Sequence, residues 1–133
     1  MNPNLVEFKK HRRDDGCLIA LEQQKEIPFE VRRLYYVFDT TAGARRGRHA
    51  HRFAKQLAIC TNGACTISLD DGAQKSSVTL NSNDMGLILR PMVWHEIYDF
   101  SPQCTLVVLA SEVYDEANCI RDYDAFIREK VSQ

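Results

Sequence analysis

Short strand-like runs, broken at close intervals by turn residues, limit this chain to a small set of folds. Apolar, β-branched and aromatic residues cluster over positions 17–21, 31–38, 56–60, 64–69, 78–80, 86–89, 93–98 and 105–109. Between them stand Asp14-Asp15-Gly16, Thr41-Ala42-Gly43, Thr61-Asn62-Gly63, Asp70-Asp71-Gly72, Asn81-Ser82-Asn83-Asp84 and Ser101-Pro102. Gly reaches positive φ without strain, and Asn and Asp side chains bond to nearby backbone, so these segments reverse the chain. Thr61-Asn62-Gly63-Ala64 and Asp70-Asp71-Gly72 read as hairpin turns. Strands of this length and spacing build a sandwich or a barrel. Helical periodicity is confined to the end. Tyr123, Phe126 and Ile127 share one face, and Arg128 and Lys130 stand where positive charge suits the helix dipole. The expectation is an all-β single domain over residues 1–133 with a short C-terminal helix.

Composition excludes several functions. The 133 residues carry 17 Lys+Arg against 18 Asp+Glu, a formal net charge of −1. A nearly neutral chain is not a general nucleic-acid or membrane-surface binder. No apolar run approaches the roughly 20 residues of a membrane span. The first eight residues lack the apolar core of a signal peptide, so the expected location is the cytoplasm. The five cysteines, Cys17, Cys60, Cys65, Cys104 and Cys119, form no Cys-x-x-Cys pair. An odd number without that pairing argues against a disulfide framework or a zinc ribbon. Most read as small core hydrophobes.

Chemistry concentrates around His49-Ala50-His51. On a strand, residues i and i+2 point to one face, so both imidazoles enter one space. Such a pair can chelate a metal or divide acid and base work near neutral pH. The neighbourhood is strongly basic. Eleven of the 17 basic residues are arginine, and six lie between positions 32 and 52, a window whose only acid is Asp39. Arginine's planar fork suits phosphate oxygens, so a diphosphate ligand beside the histidines follows. In residues 33–38 one alternate set, Arg33, Tyr35 and Val37, would line a polar interior. The other set, Leu34, Tyr36 and Phe38, would then pack outward against a partner subunit.

Gly47, His49, His51, Gln56 and Gly63 resemble the first metal motif of cupin barrels. Four residues separate His51 from Gln56, and six separate Gln56 from Gly63. Gly86, Pro91 and His95 resemble the second motif. The fold this implies is a cupin, a jelly-roll or double-stranded β-helix barrel. Gln56 stands where the metal-binding pattern has a glutamate, and an amide brings no carboxylate charge for a divalent ion. Three histidines alone can still hold zinc, so these residues leave a metal open while Gln56 counts against it.

A closer resemblance runs from about residue 14 to residue 126. Ile27-Pro28-Phe29, the segments 33–38 and 46–51, Asp70-Asp71-Gly72, Val93-Trp94-His95-Glu96, Leu109-Ala110-Ser111, Tyr114-Asp115-Glu116 and the segment 120–124 are similar to the sugar-nucleotide 3,4-ketoisomerases. These are small cupin enzymes acting on dTDP-4-keto-6-deoxyglucose. The resemblance implies an isomerase without metal or other cofactor that moves a ketone from C4 to C3. It implies His49 and His51 as the acid/base pair, Tyr35 as a supporting hydroxyl and Arg33 and Arg46 as diphosphate contacts. Gln56 and His95 are implied to line the pocket. It further implies a homodimer exchanging N-terminal strands, and a product used for 3-acetamido-3,6-dideoxyhexoses of surface polysaccharides. Some relatives are fused to an acetyltransferase, so the chain is also expected to suit one domain of a longer bifunctional enzyme. The chain departs from the family at Asp15, Arg90 and Asn118-Cys119, positions that bear on ligand contacts and product stereochemistry. The competing readings are a metal-dependent cupin enzyme, a cupin sugar-nucleotide epimerase and a non-catalytic binding module.

Overall fold

Alternation along the strands decides which side chains meet in the interior. The computed structural model describes residues 4–133. Its strands are β1 (Leu5–Glu7), β2 (His11–Arg13), β3 (Gly16–Leu18), β4 (Arg33–Val37), β5 (Arg46–His51), β6 (Gln56–Asn62), β7 (Cys65–Asp70), β8 (Lys75–Leu80), β9 (Met85–Leu89), β10 (Trp94–Tyr98), β11 (Thr105–Ala110) and β12 (Cys119–Ile120). One helix, α1 (Tyr123–Val131), closes the chain. The strands form two five-stranded antiparallel sheets, in the orders β1-β9-β6-β11-β4 and β12-β5-β10-β7-β8. The β2–β3 hairpin stands apart as a third, two-stranded sheet.

The inner faces of the two large sheets share one core. Ala58, Cys60, Leu106 and Val108 from the first meet Cys65, Ile67, Leu69 and Ile97 from the second. This is the jelly-roll barrel that the turn spacing and the cupin resemblance led us to expect. The outer face of the first sheet is covered too: Leu57, Ile59 and Leu109 pack against Phe8, Ile27 and Phe29. That double burial explains why β6 carries a continuous apolar run rather than an alternating one. The outer face of the second sheet lies under α1, where Ala50, Met92 and Trp94 meet Ile120 and Phe126.

The helix starts where the sequence indicates. Asp122 caps it, its carboxylate accepting from the Ala125 N–H at 3.0 Å, which satisfies an otherwise unpaired donor of the first turn. It ends with Arg128 and Lys130 in the last turn. The expected 17–21 strand is shorter, Gly16–Leu18. Ile19 and Leu21 leave the ladder and pack onto the outer apolar cluster of the first sheet instead. Cys60, Cys65 and Cys104 are core residues, Cys17 is exposed and Cys119 is half-buried, all as free thiols. No described helix is long and apolar enough to cross a membrane.

Phe126 is fully buried beneath the strand pair that carries the histidines. Phe126→Ala removes a whole ring from that layer and should destabilise the fold by about 3–5 kcal/mol, read from the midpoint of chemical denaturation.

Candidate active site

The site is built on β5 and β10, which run antiparallel with His49 opposite His95. The register shifts between His95 and Glu96, so that Glu96 pairs with Gly47 and Ile97 with Arg46. Arg48 is the extra residue of a β-bulge. Gly47 and Arg48 both take positive φ, 78° and 59°. Glycine is required at 47: a Cβ there would stand 3.0 Å from the His95 carbonyl oxygen and 3.2 Å from its ring. The bulge also changes the phase of the strand. By plain alternation Arg46 would point away from His49 and His51. With one residue inserted it pairs with Ile97 on the inner face and lines the same cavity.

That cavity measures about 420 Å³. His49, His51 and His95 form its floor. The ring of His49 lies 4.6 Å from that of His51 and 4.8 Å from that of His95, both edge-on, and His51 and His95 stack at 5.8 Å. Crowding and burial keep all three neutral. Burial lowers the His49 pKa, helped by the Arg121 cation and opposed by a hydrogen bond to the Gly47 carbonyl and by Glu116. Burial first, then His49 and nearby arginines, bring His51 down to about 4. His95 falls to about 3 through burial and its two histidine neighbours. A neutral imidazole offers one N–H and one lone pair, so the floor both donates and accepts protons at neutral pH.

The opposite wall comes from β4. Arg33, Tyr35 and Val37 face inward and Leu34, Tyr36 and Phe38 outward, the phase expected of a polar interior. The Arg33 guanidinium lies 4.4 Å from the centre of the Tyr35 ring. Burial raises the Tyr35 pKa, so its phenol stays protonated and serves as a donor. Gln56 donates to the Tyr35 hydroxyl at 3.2 Å. Gln56 itself is set deeper than expected. Almost fully buried, it borders a narrow annex beside His51 rather than the main cavity.

The arginine cluster divides. Arg33, Arg45 and Arg46 border the cavity. Arg45 is fixed from outside by Glu96 at 2.7 Å. Arg52 turns to α1, donating to Glu129 at 2.6 Å, and Arg32 lies 3.9 Å from Glu30 at the surface. The sequence reading gave no site role to three further lining residues: Tyr114, Cys119, noted only as a departure from the family that bears on ligand contacts, and Arg121. Strand β12 brings the last two in by pairing Cys119 with His51 and Ile120 with Ala50. The Cys119 sulfur lies 3.4 Å from His51 Nδ1. Nothing in the spacing of these residues ties them to residues 49–51.

The three histidines present ligand atoms within 4.8 Å of one another. The fourth position of the metal motif is Gln56, whose amide brings no charge and is bound to Tyr35. The donor set therefore departs from the cupin metal site where charge would be supplied. No step of the mechanism is routed through a metal.

A family model described as WxcM-like, C-terminal (FdtA) matches residues 1–131. A TDP-4-oxo-6-deoxy-alpha-D-glucose-3,4-oxoisomerase from Aneurinibacillus thermoaerophilus is 46% identical over 126 residues, covering 95% of this chain and 91% of that protein. The chain belongs to the sugar-nucleotide 3,4-ketoisomerase family. Among solved structures, a 3,4-ketoisomerase from Helicobacter canadensis is similar with a TM-score of 0.93 at 42% identity, covering 96% of each chain. The 3,4-ketoisomerase QdtA from Thermoanaerobacterium thermosaccharolyticum, a histidine-to-asparagine mutant in complex with TDP-4-keto-6-deoxyglucose, is similar with a TM-score of 0.94 at 37% identity. The match covers 100% of this chain and 98% of that one. The family assignment favours the isomerase over the metal-dependent and non-catalytic readings.

The lowered histidine pKa values have a stability consequence. Below the ordinary value of 6.5 the unfolded chain of this ketoisomerase binds protons that the folded site refuses until about 4 at His51 and about 3 at His95. Stability is therefore unaffected by these groups above pH 6.5 and is lost as pH falls toward 4. The carboxylate of Glu116, held down to about 2 by Arg121 and Tyr114, contributes only below its ordinary 4.5. The thermal midpoint should drop between pH 6.5 and 4.5, and His95→Asn should flatten that slope.

Proposed function

We propose that this chain converts dTDP-4-keto-6-deoxyglucose to the 3-keto isomer by histidine acid/base chemistry. One observation carries the reading: His49 and His51 stand edge to face at 4.6 Å on the floor of an arginine-bordered cavity. The reaction removes the proton from C3 while O4 is protonated, giving an enediol. It then delivers a proton to C4 while O3 gives one up. No atom is gained or lost, so the protein has only to accept and return protons. Two neutral imidazoles on one face suit that demand. The Tyr35 phenol, kept protonated, is placed to hydrogen-bond the oxygen on which charge develops. Arg33 and Arg46 provide fork donors for the diphosphate. His95 lines the cavity beside the pair, its ring 4.8 Å from that of His49.

The product is a ketone at C3, which an amino-transfer reaction would consume on the way to 3-acetamido-3,6-dideoxyhexoses of surface polysaccharides. A nucleotide-linked substrate of this kind fits a cytoplasmic setting.

We also read the chain as a homodimer. β4 is an edge strand whose outward residues Leu34, Tyr36 and Phe38 are 56–58% exposed, an apolar stripe that a partner would cover. The exposed β2–β3 hairpin, separate from both large sheets, suits exchange of N-terminal strands.

The decisive test is a proton NMR time course in deuterated buffer with chelator-treated protein. The reading expects a 3-keto product carrying deuterium at C4, and its loss in His49→Asn. Activity that returns only with added metal would overturn the mechanism. Exchange at C3 and C5 without ketone movement would make the chain an epimerase. For the dimer, light scattering should give about twice the 15.3 kDa chain mass. Tyr36→Glu should return it to the monomer, and a monomeric parent would refute the interface.

A further inference from the structure

Arg121, which follows β12, lines the cavity and brings its guanidinium to His49. Its Nη1 lies 3.5 Å from His49 Nδ1. Its other two nitrogens are committed: Nε donates to Glu116 Oε1 at 2.5 Å and Nη2 to Glu116 Oε2 at 3.0 Å. Glu116 also accepts from the Tyr114 hydroxyl. A bidentate guanidinium–carboxylate pair holds both partners in one plane, so Nη1 is left directed toward the imidazole. The 3₁₀ turn Glu116–Asn118 is anchored in turn. Asp115 caps it by accepting from the Ala117 N–H at 3.1 Å, and the Arg52 guanidinium donates to the Ala117 carbonyl at 2.6 Å. The pair is half-exposed, with 50% of the Arg121 side chain and 54% of the Glu116 side chain accessible, but the turn that carries Glu116 is anchored on both sides.

We propose that Arg121, clamped by Glu116, is the positioning residue of His49: its fixed positive charge keeps the ring in the neutral, proton-accepting form, and Glu116 sets how strongly. The inference rests on His49 taking part in the proton transfers proposed above. A permanent cation beside an imidazole disfavours a second positive charge, and an anion favours it. Both groups exert these opposite influences on His49. The rings next to His49 are His51 on its own strand and His95 on β10, and Arg33, Tyr35, Arg45, Arg46 and Cys119 line the same cavity. The two neighbouring rings are themselves neutral, and the raised pKa of Cys119 keeps its thiol uncharged. Arg33 is held against the Tyr35 and Tyr114 rings. The Arg121–Glu116 pair is thus the charge that a substitution can change without entering the histidine cluster.

An ion pair that served merely as a strut would give the same defect whichever partner was removed. A charge-setting pair gives opposite signs. The experiment follows the His49 ring by NMR titration of the full chain, its resonance assigned by its absence in His49→Asn, together with the pH profile of kcat/KM. Arg121→Gln should move the His49 midpoint, and the acid limb of the profile, up by about one pH unit. Arg121→Lys, which keeps the charge, should move them by much less. Glu116→Gln, which keeps an acceptor for the guanidinium but loses the negative charge, should move both down. Shifts of the same sign in Arg121→Gln and Glu116→Gln, or no shift in either, would overturn the proposal. A wild-type chain without ketoisomerase activity, but with opposite titration shifts in the two variants, would refute the functional reading and leave the electrostatic role standing.

Discussion

The pairing of β5 with β10 must serve two faces at once. On the inner face it sets His49 beside His95 and places Arg46 next to Ile97. On the outer face Ala50 and Trp94 meet Ile120 of β12 and Phe126 of the helix. A strand with unbroken alternation cannot put His49, His51 and Arg46 on one side, since their numbers differ in parity. The bulge at Gly47-Arg48 resolves this, and its geometry depends on two positive φ values and on the absence of a Cβ at position 47. Arg45 borders the cavity at its rim, where Glu96 holds it and its guanidinium lies 4.3 Å from the centre of the Tyr98 ring. One extra residue thus brings Arg46 into the cavity beside an Arg45 fixed at its rim.

The electrostatics follow from that packing. Three imidazoles at mutual distances below 6 Å cannot all hold protons, and burial penalises each charge further. The arginines at the rim add to the penalty. They serve opposite purposes toward the two ends of an anionic ligand: they attract phosphate oxygens and they repel protons from the histidines. A site that binds a diphosphate through cations obtains neutral, proton-accepting histidines nearby without separate machinery. Placing the histidines among arginines therefore couples anion binding to proton affinity.

Much of this was legible in the chain. Asp70-Asp71-Gly72 marked the β7–β8 hairpin, whereas Thr61-Asn62-Gly63-Ala64, expected as a hairpin, carries the chain from β6 in the first sheet to β7 in the second; Tyr123, Phe126 and Ile127 marked the helix. The inward set on β4 was readable as alternation with a choice of two phases. The remainder lay beyond periodicity. β5 is too polar to register as a strand by composition, and its bulge breaks the rule on which a facing argument rests. Arg46 was correctly grouped with the histidines by resemblance, not by phase. Arg121 could not be tied to position 49, because a two-residue strand carries no periodic signal and the pairing that places it is long-range. Gln56 was expected at the pocket wall, whereas its side chain points into the barrel beneath Tyr35.

The depth of Gln56 explains why an amide occupies that position. A glutamate there would be a carboxylate almost wholly removed from water, beside the Tyr35 phenol and in the annex that His51 also borders. Without a bound cation such a charge is strongly disfavoured, and the group would protonate or draw a proton from its surroundings. A buried carboxylate would also raise the proton affinity of His51, undoing the neutrality that burial and the arginines impose. The amide avoids both effects and still donates to Tyr35, fixing the phenol over the cavity. Its cost is one carbonyl oxygen, Gln56 Oε1, without a hydrogen-bond partner among the described residues, a penalty of about 1–3 kcal/mol. That is small against the several kcal/mol needed to bury an unpaired carboxylate. In a barrel whose histidines are held neutral, the neutral side chain is the cheaper way to hold the tyrosine.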